Sequence, residues 1–125
     1  MSQRKFYLTA EQPLKATAIA ANEHYSLALK SDGTVAAWAD NTYGQLNVPA
    51  DLIDVVAISA GNRHALALKS DGTLVAWGTN TYGQTEVGSY TNVTAIASGQ
   101  FHNLALTSNS PVIVSQPVAD QNATI

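Results

Sequence analysis

The 125-residue chain has no cysteine, which excludes disulfides and thiolate-held metals and says nothing about redox compartment. Charge is scarce: 12% of residues are charged, and six Lys and Arg against nine Asp and Glu leave a formal net charge of −3. A nucleic-acid surface needs clustered cations to displace counterions, so that class of partner is not expected. The cations that exist include Arg4, Lys5 and Lys15, a mildly basic arm rather than a patch. No uninterrupted apolar run approaches the length of a membrane span, and the opening MSQRKFYLTAEQ has no apolar stretch of the secretory-signal kind. Also missing are a phosphate-binding glycine loop, a His-Glu-x-x-His pair and a nucleophile elbow. No catalytic residue, metal ligand or cofactor is therefore expected, and the chain reads as non-enzymatic.

What the sequence has in abundance is itself. Residues 18–48, AIAANEHYSLALKSDGTVAAWADNTYGQLNV, return at 57–87 as AISAGNRHALALKSDGTLVAWGTNTYGQTEV, and begin again at 95 as AIASGQFHNLALTSNS. The spacing is 39 and then 38 residues. Units of this size cannot bury their own faces and must stack on their neighbours, as solenoid modules and propeller blades do.

Within each unit the signals are those of β-structure. Ser31-Asp32-Gly33-Thr34 and Ser70-Asp71-Gly72-Thr73 lie between apolar runs and predict hairpins, with Asp-Gly supplying the positive φ angles of a two-residue type I′ turn. The strand before each hairpin alternates large and small side chains. Tyr25, Leu27 and Leu29 oppose Ser26, Ala28 and Lys30, and His64, Leu66 and Leu68 oppose Ala65, Ala67 and Lys69. His102, Leu104 and Leu106 likewise oppose Asn103, Ala105 and Thr107. Such alternation predicts sheets stacked face to face, the large face of one against the small face of the next. The strand after the hairpin ends in Trp38 or Trp77, each placed to fill the outer gap between splayed blades and expected to be shielded from water.

The third unit decays. Ser108-Asn109-Ser110-Pro111 stands where Ser-Asp-Gly-Thr stood, Val112-Ile113-Val114 can still make a strand, Ser115 takes the tryptophan position, and the Tyr-Gly-Gln segment does not return. The expected organisation is an arm over 1–16 with a short strand at Phe6-Tyr7-Leu8, repeats over 17–55, 56–93 and a partial 94–110, and a linker or opening of a further domain over 111–125.

GNRHALALKSDGTLVAWGTNTYGQ resembles the repeat of the regulator of chromosome condensation family. Gly61, His64, Ala65, Ala67, Leu68, Asp71, Gly72, Trp77, Gly78, Asn80, Gly83 and Gln84 carry the likeness. Repeat one departs from it at Asn22, Tyr25 and Ala39. The short spacing is similar to that of bacterial members, and PVIVSQPVADQNATI resembles the opening strand of bacterial immunoglobulin-like domains. The resemblance implies an all-β fold of propeller blades built from four-stranded sheets, here two clear antiparallel blades and a partial third in an incomplete propeller. It also implies function through protein partners. The expected role is a non-catalytic structural or protein-interaction module within a larger assembly, with a phage virion or bacterial surface protein as the favoured setting. Copies of itself or other subunits would complete the ring, and three copies come nearest to the family's seven blades. The alternative is a regulatory binder, of a small GTPase or as a protein inhibitor of an enzyme.

His64 and His102 share a repeat position that tyrosine fills in repeat one, which marks them as packing residues rather than ligands. Asp32 and Asp71 are accounted for by their turns, and Gln45 and Gln84 by bonds to an adjacent blade. Recognition is expected where the repeats differ: Glu23 and His24, Arg63, and Phe101 in the loops before the large-faced strands. Asp40, Thr79, Leu46-Asn47 and Thr85-Glu86 vary at the other turn. Phe101 is the sharpest of these, an aromatic anchor or a residue that packs on the chain after Pro111.

Overall fold

A computed structural model describes residues 15–39, 41, 44–80, 83–108 and 111–115. The expected strand at Phe6-Tyr7-Leu8, the loop residue Asp40 and the tail beyond Ser115 lie outside the described residues. Among the described residues, nine strands form three separate antiparallel sheets in chain order. The first blade contains β1 (Ala16–Ala21), β2 (Tyr25–Lys30) and β3 (Val35–Ala39). The second contains β4 (Val55–Ala60), β5 (His64–Lys69) and β6 (Leu74–Gly78), and the third β7 (Ala95–Ser98), β8 (Asn103–Leu106) and β9 (Pro111–Ser115).

Two expectations change here. Each sheet has three strands; among the described residues no fourth strand forms, and the Gly44–Leu46 and Gly83–Thr85 stretches are turns. The third blade also continues past 110, because the strand allowed at Val112-Ile113-Val114 forms within Pro111–Ser115 and pairs with β8. A strand needs only a partner and a packed face, and this stretch has both: Ile113 pairs with Leu104, and Val114, at the bulge, is buried with Leu66 and Leu68 of the second blade.

Both predicted hairpins form, with a different turn. Gly33 N–H donates to Lys30 O and Lys30 N–H to Thr34 O, at 2.9 and 2.8 Å, so the loop has three residues. Gly33 has φ +84° and Gly72 +85°, whereas the only non-glycine residues with positive φ among those described are Ala39 and Asp54. Ser31-Asp32 is thus a type I turn followed by a left-handed glycine, the alternative hairpin solution. Asp32 is spared a left-handed backbone, and its Oδ1 instead accepts from the Thr34 amide and hydroxyl, which hold its exposed carboxyl below the usual range. Asp71 and Thr73 repeat the arrangement.

Stacking follows the large-on-small rule. Tyr25, Leu27 and Leu29 pack against Ala65 and Ala67, and Leu66 and Leu68 against Ala105. Full burial of a leucine side chain stabilises by roughly 1.5–3 kcal/mol, so Leu27 and Leu66 are main contributors. The first strand of each later blade, β4 or β7, lies on the first two strands of the blade before it. The hairpin glycines take part as well: Gly33 O accepts from Val55 N–H and Gly72 O from Val93 N–H, at 3.0 and 3.2 Å, tying each hairpin to the strand that opens the next blade.

Candidate functional site

Two sets of residues separate in space: the strand positions of the repeat fill the blade interfaces, even where the residue type changes as at Tyr25, His64 and Asn103, and the variable loop residues gather at one end of the blades. Tyr25 and Ala39 are register partners, as are His64 and Gly78. The loops before β2 and β5 therefore emerge beside the segments that leave β3 and β6, and Thr79 N–H donates to Arg63 O at 2.9 Å. The two groups of variable loops, read from sequence as opposite turns, share one edge of the stack. The Asp-Gly hairpins occupy the opposite edge.

Glu23 and His24 sit in the β1–β2 turn, both exposed, with His24 Nε2 3.6 Å from Glu23 Oε2. Arg63 is exposed in the β4–β5 turn, and Phe101 is half-buried in the β7–β8 turn. The four candidates thus take corresponding places on three successive blades. Asn22 holds the first loop: its Oδ1 accepts from the His24 and Tyr25 amides, and its Nδ2 donates to the Gly61 and Asn62 carbonyls. Asn47 and Glu86 accept from the side chains of Asn41 and Asn80, whose own oxygens cap Leu46 and Thr85. Among the described residues no group of three His, Asp or Glu is placed to hold a metal.

The interfaces explain the residues that carry the likeness to the repeat family. His64 is fully buried, and its Nε2 lies 3.0 Å from Asn103 Oδ1. Asn103 Nδ2 donates to Gln84 O at 2.7 Å, and Ser98 Oγ donates to its Oδ1, so the amide orientation is fixed and His64 Nε2 must carry the proton. Burial lowers the His64 pKa, the Asn103 bond opposes this, and nearby His102 lowers it further. Its Nδ1 is buried with no hydrogen-bond partner among the described residues. Tyr25 does the equivalent work in blade one, donating its hydroxyl to the Gly61 and His64 carbonyls, with burial pushing its pKa up.

Gly61 and Gly99 are required by their histidines: a Cβ on either would overlap the ring of His64 or His102. Blade one carries tyrosine instead, and Asn22 is accommodated there. Trp77 is buried as expected, with Nε1 donating to Gln45 O at 2.9 Å. Trp38 departs from expectation and is only half-buried, since no blade lies beyond it on that side among the described residues. Gln45 and Gln84 are buried, and their main-chain oxygens receive the next blade.

Residues 55–84, the second blade and the turn after it, match the family described as the Regulator of chromosome condensation (RCC1) repeat. No curated protein matches the chain. Among solved structures, Prp20p from Saccharomyces cerevisiae superposes with a TM-score of 0.65 at 26% identity, over 77% of this chain and 29% of that one. The ectodomain of the Physcomitrella patens receptor kinase CR4 gives 0.66 at 25% identity, over 83% and 31%. The WD40 ectodomain of the Arabidopsis thaliana receptor kinase ACR4 gives 0.66 at 19%, over 83% and 38%, a likeness of fold. The second blade is thus similar to an RCC1 repeat, and the fold is an all-β, incomplete propeller. The chain spans about a third of the length of these structures.

Proposed function

We propose that the chain is a protein-interaction module whose recognition surface is the edge formed by Glu23, His24, Arg63 and Phe101, and that it works within a larger assembly without catalysis. The observation that carries this reading is the segregation just described. The strand positions of the repeat join blades, whereas the loop side chains that differ and are not fully buried stand together on successive loops, where a rigid scaffold presents them. Prp20p, as studied, binds Gsp1p and histones, which supports protein partners for a chain of this fold. The short repeat spacing supports a bacterial-type member, and a virion or surface assembly is the setting in which such a module would serve as structure.

Affinity capture from the native host tests it. A partner recovered by the native chain and lost with Arg63→Ala and Phe101→Ala, at unchanged circular dichroism, is the expected result. A partner retained by both variants places recognition elsewhere. A captured GTPase or enzyme whose activity the chain alters would favour the second reading, a regulatory binder, which the protein partners of Prp20p also support.

A further inference from the structure

The described residues build one kind of interface twice and leave both halves of a third without a facing blade among them. On the first strand of each blade an isoleucine faces the preceding blade: Ile58, paired with Ala67, and Ile96, paired with Ala105, pack into the two cores. Ile19, paired with Ala28, is the third of this series, and it is 80% exposed. At the other end Leu106 repeats Leu29 and Leu68, which are each 4% exposed, yet Leu106 is 45% exposed. Beside it runs an open apolar trough on β7 and β8, lined by Ala95, Ala97, Leu104, Leu106 and Pro111. This trough corresponds to the surface on which β4 sits in blade one and β7 in blade two.

We propose that the trough seats β1 of a second copy of this chain, so that copies continue the blade array head to tail. Ile19 of one copy enters the β7–β8 trough of the next, as Ile58 and Ile96 enter the faces before them. The occupant is a second copy because its small face carries the polar match as well as the apolar one. Where the large face offers Tyr25, the facing blade has Ala65, and the phenol reaches backbone oxygens. Where it offers His64, the facing blade has Asn103, in register with Ala65, to accept from Nε2. The open large face offers His102, whose ring packs at Gly99 as that of His64 does at Gly61. The corresponding position of the open small face, register partner of Ala21 and Trp38, is Ser26, a hydroxyl where the His102 ring would meet a polar group as His64 meets Asn103. Such a contact is heterologous, so it closes a ring or propagates according to the rotation between blades.

The surface proposed here is distinct from the variable-loop edge, and the test leaves that edge untouched. Ile19→Asp spoils the small end and Leu106→Asp the large end; both residues are exposed, and circular dichroism reports that each variant is folded. In light scattering on the 125-residue chain, the native protein should exceed its 13.1 kDa monomer mass at tens of micromolar, each variant should be monomeric, and an equimolar mixture should form a dimer through the two intact ends. A monomeric native chain overturns the proposal. So does a variant that still associates alone, which would mean like faces pair, or a mixture that stays monomeric. Loss of partner capture by Arg63→Ala with association intact would leave this inference standing, and the converse would leave the loop reading standing.

Discussion

His64 Nε2 and Asn103 Oδ1, 39 positions apart and on adjacent blades, meet at 3.0 Å inside the stack. The pair replaces two features of the first interface at once. Where blade two sets Ala65 opposite Trp77 and the indole bonds Gln45 O, blade three sets Asn103 opposite Ser115 and the amide bonds Gln84 O. One asparagine thus satisfies the histidine of the blade before it and takes over the tryptophan's link to the connecting turn.

Replacing Asn103 with alanine strips His64 Nε2–H and Gln84 O of these partners in a buried site. Each abandoned group costs about 1–3 kcal/mol, so Asn103→Ala should lower the urea midpoint markedly with an unchanged m-value. His64→Ala should cost a similar roughly 1–3 kcal/mol from the lost bond and packing. An unchanged midpoint in either variant would remove the structural role assigned to the pair.

The same histidine gives a pH signature. Burial depresses its pKa in the folded chain, so well above the unfolded value of about 6.5 it is uncharged in both states and contributes no pH dependence. As pH falls below the unfolded value of about 6.5, the unfolded chain takes up a proton that the folded chain refuses, and stability declines until the folded pKa is passed. Unfolding midpoints of the native chain should therefore fall over this window more than those of His64→Asn, in which that contribution is absent.

Much of this interface was legible in the sequence, because alternation of large and small residues is imposed directly by the two faces of a strand. The hairpins were legible too, although Asp-Gly serves both the two-residue and the three-residue loop, and composition does not choose between them. The contacts that tie Gly33 to Val55 and Gly72 to Val93 were not legible, since a glycine that satisfies its own turn gives no sign that another blade also needs its missing Cβ. Trp38 was misread as shielded for a related reason: equivalence within the repeat predicts environment only where a neighbouring blade is present. The candidate loops were found because they vary, but their convergence on one edge required the register.

The glycine at position 61 and the ring at 64 form one unit. Gly61→Asn alone should be strongly destabilising, since any Cβ there collides with the imidazole. Blade one shows the compatible alternative, Asn22 with Tyr25. Combining Gly61→Asn with His64→Tyr should therefore cost less than the sum of the two single changes, a coupling readable in a double-mutant cycle. Additive losses would mean that the two repeats solve the loop independently.

Ala39 occupies the place that Gly78 fills in blade two, and it holds φ +98° with a side chain present. A non-glycine residue in this region carries about 1–3 kcal/mol of strain, from which the greater freedom of glycine in the unfolded chain subtracts about 0.4–1 kcal/mol. Ala39→Gly should thus stabilise by about 1 kcal/mol, a rise of several degrees in melting temperature for a domain of this size. The reverse change in blade two should do the opposite, because a Cβ at Gly78 would stand 2.6 Å from Arg63 O and 2.8 Å from His64 Cα, neither of which can move without shifting β5. Gly78→Ala should accordingly lose more than Ala39→Gly gains. Equal and opposite shifts would show that strain alone, without the backbone contact, sets the preference for glycine at this turn.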